Sequence, residues 1–306
     1  MIKMLDPKND VVFQKLFGIK AHKHILISFL NSILRLEGRN AIKDVEFEEK
    51  HLDISLIASE KLSILDLHVT TETNMSINVE IQLINQYNMI KRTIFYMSKM
   101  LLSQLKKGED YSCLNRTVTI NILNFNYLDG ESYIKRYGLF EKTSKKSLTD
   151  LLEYIFIELP KFTEVNKDYN NKLHKWLIFL SNPTGKEIEK FMKTDGEIKE
   201  AMDVLYKISG DKEAIMLAEM REKAIMDEQS RLNGARKEGK AEGKIEGLKE
   251  AILENLNEIG NVPEDLIECI NRQDSMEILK YWNKIAVVTE SLKEFEEKIK
   301  NSMLNI

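Results

Sequence analysis

A chain of 306 residues, 43% of them hydrophobic, is long enough for a full core and an appendage, because single domains run to roughly 100–200 residues. Its 45 Lys and Arg against 49 Asp and Glu, with a net charge of −4, exclude a surface that is basic throughout and leave only a local basic patch for any polyanion. No run approaches the ~20 apolar residues of a membrane span, Asp6 and Asp10 interrupt what would be a signal peptide, and Cys113 and Cys269 stand apart without a CxxC spacing, so a cytoplasmic chain with neither a disulfide framework nor structural zinc is expected.

In chain order, Asp6-Pro7 reads as an N-cap with proline at the first helical position, followed by Val12, Phe13, Leu16 and Phe17 at helical spacing. A second helical run covers Ile25 to Leu36 and stops at Gly38. The period then changes to two. Val45 and Phe47 suggest a short strand, and residues 63–71 and 76–83 suggest two longer ones joined as a hairpin. Leu65, Leu67 and Val69 share one face of the first, with Asp66, His68 and Thr70 on the other; Ile77, Val79, Ile81 and Leu83 oppose Asn78, Glu80 and Gln82 on the second. Residues 86–107 return to helical spacing through Ile90, Ile94, Met97, Leu101 and Leu105, and 117–125 form a β-branched strand. Further strands are expected at 133–139 and 153–159, the latter ended by Pro160.

Beyond Lys161 the pattern is helical. Around residue 230 it becomes charged and is punctuated by Gly234, Gly239, Gly243 and Gly247, which predicts a marginal, frayed helix, since each such glycine costs about 0.8–1 kcal/mol relative to alanine. Ile245, Leu248, Ile252, Leu256 and Ile259 then form an apolar stripe, Pro263 opens another helix, and the tail is expected to be a small bundle or an oligomerisation element. The division expected is 1–160, a helical extension 161–230, and a tail 231–306.

If the hairpin turns about Thr73, residues whose numbers sum to 146 face one another, which sets Asp66 across from Glu80, near enough (~4.5–5.5 Å between Cβ atoms) for two carboxylates to share a divalent cation. Gln82 follows on the same face. A slip of one residue would put Asp66 among the apolar side chains, and the alternation of both strands rejects it. Other candidates are weaker. Asp10 suits a helix N-terminus electrostatically as well as it suits a metal. His68 shares the face of Asp66, but a lone strand histidine more often borders solvent than binds metal or substrate, and His22 and His24 project to different sides of a helix. Lys91, Arg92 and Lys99 follow on the next helix, and of these Arg92 has the planar fork that matches a phosphate.

An Asp, a spacer of thirteen residues and then Glu80-Ile81-Gln82, between two helices, resembles the PD-(D/E)XK nuclease pattern. More specifically, LDPKNDVVFQKLFG at 5–18, ILISFLNSIL at 25–34, LSILDLHVTTETNMSINVEIQL at 62–83, KRTIFYMSKMLLSQLKKGEDY at 91–111 and IFIELPKF at 155–162 resemble the recombination-promoting nuclease (Rpn) and transposase family, in which glutamine habitually takes the lysine position. The resemblance implies an α/β (α+β) restriction-endonuclease-like core of order αβββαβ with a mostly helical C-terminal region. It implies DNA as substrate and phosphodiester hydrolysis linked to recombination, mobile elements or phage defence. Asp66 and Glu80, with the Ile81 carbonyl, would hold Mg²⁺ or Mn²⁺, Gln82 would orient the water, and Asp10 and Arg92 would be accessory. Gln82 carries no charge, so the electrostatic contribution of a lysine must come from elsewhere. The competing expectation is a non-catalytic descendant that binds DNA or protein and oligomerises through its C-terminal helices.

Overall fold

The computed structural model describes residues 3–48 and 67–303, the side chains of the last three excepted, and Asp66 lies outside these described residues together with 49–65. Two compact units, Met1–Glu228 and Gln229–Ile306, divide the chain. In the first, helices α1 (Asp10–Phe17) and α2 (Lys23–Leu34) precede strands β1 (Val45–Phe47), β2 (Leu67–Thr71) and β3 (Ser76–Gln82). Helix α3 (Met89–Ser103), strand β4 (Thr117–Leu123) and the hairpin of β5 (Ile134–Phe140) and β6 (Ser147–Glu158) follow. Then come α4 (Leu159–Thr163), α5 (Lys172–Ser181), α6 (Lys186–Thr194), α7 (Gly196–Gly210) and the long α8 (Lys212–Ile259).

The six strands form one mixed sheet in the order β1-β2-β3-β4-β6-β5, with β3, β4 and β6 parallel to one another. The β2–β3 pairs are Leu67↔Val79, His68↔Asn78, Val69↔Ile77 and Thr70↔Ser76, so every described pair of this hairpin sums to 146. One sheet face, formed by Leu67, Val69, Ile77, Val79, Ile81, Val118, Ile120, Ile122, Ile155 and Ile157, belongs to a single core with α1, α2, α5 and α7. Phe17 anchors that core, with ring centroids 4.6 Å from Phe13, 5.1 Å from Phe29 and 5.9 Å from Trp176. Where α1 ends, Gly18 lies so close to the sheet that a Cβ there would come within 2.8 Å of Leu67 Cδ2, so no larger residue fits without a shift.

Several boundaries differ from those the sequence suggests. The N-cap of α1 is Asn9, whose side chain accepts from the Val11 N–H, while Asp6 forms the preceding turn by accepting from the Lys8 N–H. Helix α2 stops at Arg35, which takes a left-handed conformation (φ 57°), before Gly38 is reached. β6 begins at Ser147, earlier than the sequence suggests, because its N-terminal half is held by pairing with β5 and is largely exposed, so no alternation of buried residues marks it. Pro160 opens α4 instead of ending a strand. Cys113 is exposed and Cys269 half-buried.

The glycine-punctuated run is helical throughout, where fraying was expected. A Cβ at Gly234, Gly239, Gly243 or Gly247 would meet nothing within 4 Å, so no packing within the chain requires glycine there. Helix α8 contributes Ala214 and Ala218 to the core of the first unit and Ile252 and Leu256 to that of the second, and this packing at both ends offsets the low propensity between them. In the second unit, α9 (Glu264–Arg272, capped by Pro263), α10 (Met276–Val288) and α11 (Leu292–Met303) enclose Trp282, Phe295, Ile270 and Leu279. Among the described residues no helix is long and apolar enough to cross a membrane.

His174 joins α5 to the end of the sheet. Its Nδ1 accepts the Asp168 N–H (2.9 Å), which leaves Nε2 protonated to donate to the Tyr133 hydroxyl (3.0 Å). Burial holds the imidazole below its ordinary value, against the charge of Asp168 and with that of Lys167. The unfolded chain therefore takes up this proton first, and the contribution to stability is complete above about pH 6.5 and declines as pH falls toward the lower folded value. Urea unfolding between pH 7.5 and 5 is expected to show a shallower acid decline in His174→Gln than in the wild type, and parallel curves would contradict it.

Candidate active site

Both faces of β3 are buried, which removes the reading of Ser76, Asn78, Glu80 and Gln82 as an ordinary solvated hairpin face. The parallel registers Asn78↔Thr119, Glu80↔Asn121 and Thr119↔Tyr154 extend a polar strip across the sheet, and α3 lies over it. The contacts of α3 show why. Thr93 donates from Oγ1 to Asn121 Oδ1 (2.9 Å), Gln104 Nε2 donates to Thr117 Oγ1 (2.8 Å), and Met89 packs with Leu123 and Phe156. The buried stripe of this helix is therefore Met89, Thr93, Met97 and Met100, while Ile90 and Ile94, expected inside, are exposed. A helix that covers a polar strip needs a threonine and pliable methionines more than branched aliphatics.

Glu80 is 1% exposed. Gln82 Nε2 donates to Glu80 Oε1 (2.7 Å), which fixes the amide so that its oxygen remains as an acceptor, and the Arg92 guanidinium forms an ion pair with the same carboxylate. Arg92 is itself largely buried, lies 5.6 Å over the Tyr96 ring, and has an Nε–H without a hydrogen-bond partner among the described residues. Buried donors of this kind are costly unless a ligand or water completes them. The Ile81 side chain faces the apolar core. In the ladder toward β4 it is the even-numbered residues of β3 that bond, as in Ser76 N–H to Arg116 O and Asn124 N–H to Gln82 O, so the Ile81 carbonyl is directed to the β2 side. On the same strip, burial raises the Tyr154 phenol above its ordinary value, which keeps it a neutral hydroxyl.

The other sequence candidates divide clearly. Asp10 accepts from the Arg221 Nε–H (2.6 Å) and from the Val11 N–H (3.0 Å), so its named contacts tie α1 to α8. His68 lies between Glu48 (2.5 Å) and Ser76 Oγ (3.0 Å), and His24 pairs with Glu200 (2.6 Å). Lys91 and Lys99 are exposed. Thr93, Tyr96 and Asn121 surround Glu80 and Arg92 but were not singled out from the sequence; the alternation Thr117, Thr119, Asn121 against Val118, Ile120, Ile122 carried that signal for Asn121. Among the described residues no three His, Cys, Asp or Glu side chains cluster as a ready-made metal site.

A family model described as PD-(D/E)XK nuclease family transposase matches residues 7–235 of the chain. No curated protein and no solved structure matches it.

Removing Glu80 leaves a buried guanidinium unpaired, a change that typically costs about 3–5 kcal/mol. Urea unfolding of Glu80→Ala is expected to show a loss in that range, with Glu80→Gln between it and the wild type; an Ala variant as stable as the wild type would mean that the pair is open in solution.

Proposed function

The chain belongs to the PD-(D/E)XK nuclease family transposases, and from that premise we propose that it is a metal-dependent DNA endonuclease whose site is Asp66, Glu80, Ile81 and Gln82 with Arg92. The observation that carries the reading is the carboxylate of Glu80, fully buried beside Gln82 and an arginine with an uncompleted donor. Support for Asp66 comes from the register of β2 and β3, which over four pairs is the one that the sequence argument used to set Asp66 across from Glu80.

Oxygen ligands of this kind fit Mg²⁺ or Mn²⁺, since such hard ions bind through one or two carboxylates and keep several waters. Asp66, Glu80 and the Ile81 carbonyl would hold the cation. When bound, it would stabilise charge on the phosphate and lower the pKa of a coordinated water. The chain's own side chains have complementary tasks. The Gln82 oxygen accepts from the attacking water and orients it, while Arg92 supplies beside the phosphate the positive charge that glutamine lacks. Asp10 has an accessory part only through the placement of α1, given its contact with Arg221.

The family is one of transposases, in keeping with a role in recombination, mobile elements or phage defence in the cytoplasm. Cutting both strands in one event usually uses two sites, and the second unit, with Tyr281, Val287 and Val288 exposed on α10, is proposed to supply a homo-oligomer contact. Sedimentation is expected to show a species larger than one chain that becomes monomeric when residues 231–306 are removed; a monomeric full chain would exclude this contact. The alternative of a non-catalytic binding descendant is favoured by one observation, the neutralisation of Glu80 by Arg92.

Supercoiled plasmid separates the two. Nicking and linearisation by the wild type in Mg²⁺ or Mn²⁺ and not in EDTA, lowered at least about 100-fold in Asp66→Ala and Glu80→Ala, is the expected result. Cutting that survives both substitutions would place the site elsewhere, and absence of cutting in either metal would leave the binding protein.

A further inference from the structure

Net charge hides a local asymmetry. From Ile81 to Gly108 the sequence contains Lys91, Arg92, Lys99, Lys106 and Lys107 and no Asp or Glu, in a chain whose total is −4. Helix α3 carries three of these cations, of which Arg92 turns inward to Glu80 while Lys91 and Lys99 are exposed. At 100° per residue, Arg92 and Tyr96 flank the buried stripe, and Phe95 and Lys99 lie immediately outside them. The Phe95 ring is 64% exposed and meets the Tyr96 ring edge-on at 5.8 Å, and Tyr96 in turn lies under Arg92, which reaches Glu80. Lys91 and Lys99, four residues to either side of Phe95, are exposed and stand about 12 Å apart along the axis. The described surface thus runs without interruption from the buried carboxylate through a guanidinium and a phenol to an open aromatic face between two ammonium groups.

We propose that this face of α3 is where an unpaired DNA strand lies, with a base stacked on Phe95 and flanking phosphates on Lys91 and Lys99, so that the site takes single-stranded or locally melted DNA in preference to intact duplex. The proposal rests on the nuclease reading only for the reacting phosphate at Glu80. Three features favour it. An exposed phenylalanine gains nothing from water, whereas base–aromatic stacking contributes about 1–3 kcal/mol per base and is indifferent to sequence. Lys91 and Lys99, on either side of Phe95 and about 12 Å apart along the axis, can meet phosphates flanking a stacked base, and the absence of acidic residues on α3 removes the repulsion that such a backbone would otherwise meet. A duplex offers its phosphates to Lys91 and Lys99 equally well, but its bases are already stacked on one another, so Phe95 discriminates between the two forms.

The test is fluorescence anisotropy of a short labelled oligo(dT) strand and of a labelled duplex, in EDTA, with the full chain. Phe95→Ala is expected to raise the Kd for oligo(dT) about 10-fold and to leave that for duplex within about twofold, with Phe95→Trp restoring the strand affinity. Lys99→Ala is expected to weaken both forms and to lower the salt slope by about one. Phe95→Ala binding the strand as the wild type does, or losing both forms equally, would overturn the proposal. So would a wild type that binds neither, or a Phe95→Ala variant that changes sedimentation and not DNA binding, which would mark a face for a second copy. Plasmid cleavage is scored separately: strand binding that depends on Phe95 in a chain that cuts nothing would keep this surface and reject only the nuclease reading.

Discussion

A carboxylate cannot be taken out of water without partners, and the burial of Glu80 in the middle of the sheet sets the terms for what surrounds it. Its counter-charge comes from α3, so α3 must cross the sheet at one position and in one rotation. That rotation is held by Thr93 on Asn121 at one point and by Gln104 on Thr117 further along, with methionines between. Once Arg92 is turned inward to Glu80, helical geometry leaves Phe95 and Lys99 on the adjoining outer flank and Ile90 and Ile94 on the other. The unusual distribution on this helix, polar and pliable inside, apolar and cationic outside, follows from a single ion pair.

Four acidic side chains are buried among the described residues of the first unit, and their surroundings differ in a way that separates structure from chemistry; one of them, Asp195, caps α7 by accepting the Ile198 N–H and pairs with Lys172 and Lys175. Glu158 accepts the N–H groups of Tyr127 and Leu128 and binds Lys161, so it closes a loop against the end of β6. Asp10 accepts an N–H of its own helix and the guanidinium of Arg221. Backbone donors do not move aside for a ligand without local unfolding. The named partners of Glu80, in contrast, are the ends of two side chains, Gln82 and Arg92, which can swing to a substrate group while keeping the carboxylate in place. Gln82 and Arg92 are thus partners that a ligand can replace at Glu80.

Strand parity made much of this legible in the sequence. Period-two alternation in 67–71 and 76–82, combined with a short turn, admits only one register that keeps the apolar set on one face, and the pairs summing to 146 follow from it. The second flank of the strip, Thr117, Thr119 and Asn121, was equally visible as alternation, but its parallel pairing with β3 depends on α3 crossing over, which no local pattern specifies. The face of α3 was misjudged for a related reason. Helical periodicity was counted on hydrophobic residues alone, and Ile90 and Ile94 fit the period as well as Met89 and Thr93 do; only the polar character of the sheet beneath decides between them. In the glycine-rich stretch of α8 local propensity predicts a marginal helix, and the packing of its two ends, which is not local, supports the helix that is observed. Asp66 belongs to the parity argument alone, since it lies outside the described residues.

If Arg92 is the catalytic cation and α3 carries the strand-binding surface, as proposed, their sharing one helix has a further consequence. In a nuclease whose positive charge sits on the catalytic strand, as lysine in the position of Gln82 would place it, binding and chemistry can vary separately. Here Arg92 and Lys99 are neighbours on α3, and whatever tilts the helix displaces both. On that proposal the Thr93–Asn121 hydrogen bond would act on the reaction at a distance, since it helps to fix the angle at which one helix presents a guanidinium inward and an aromatic ring outward. A loss there would affect affinity and turnover together, whereas a loss at Gln82 would affect turnover alone, so the two effects remain distinguishable although the groups lie within one layer of the fold.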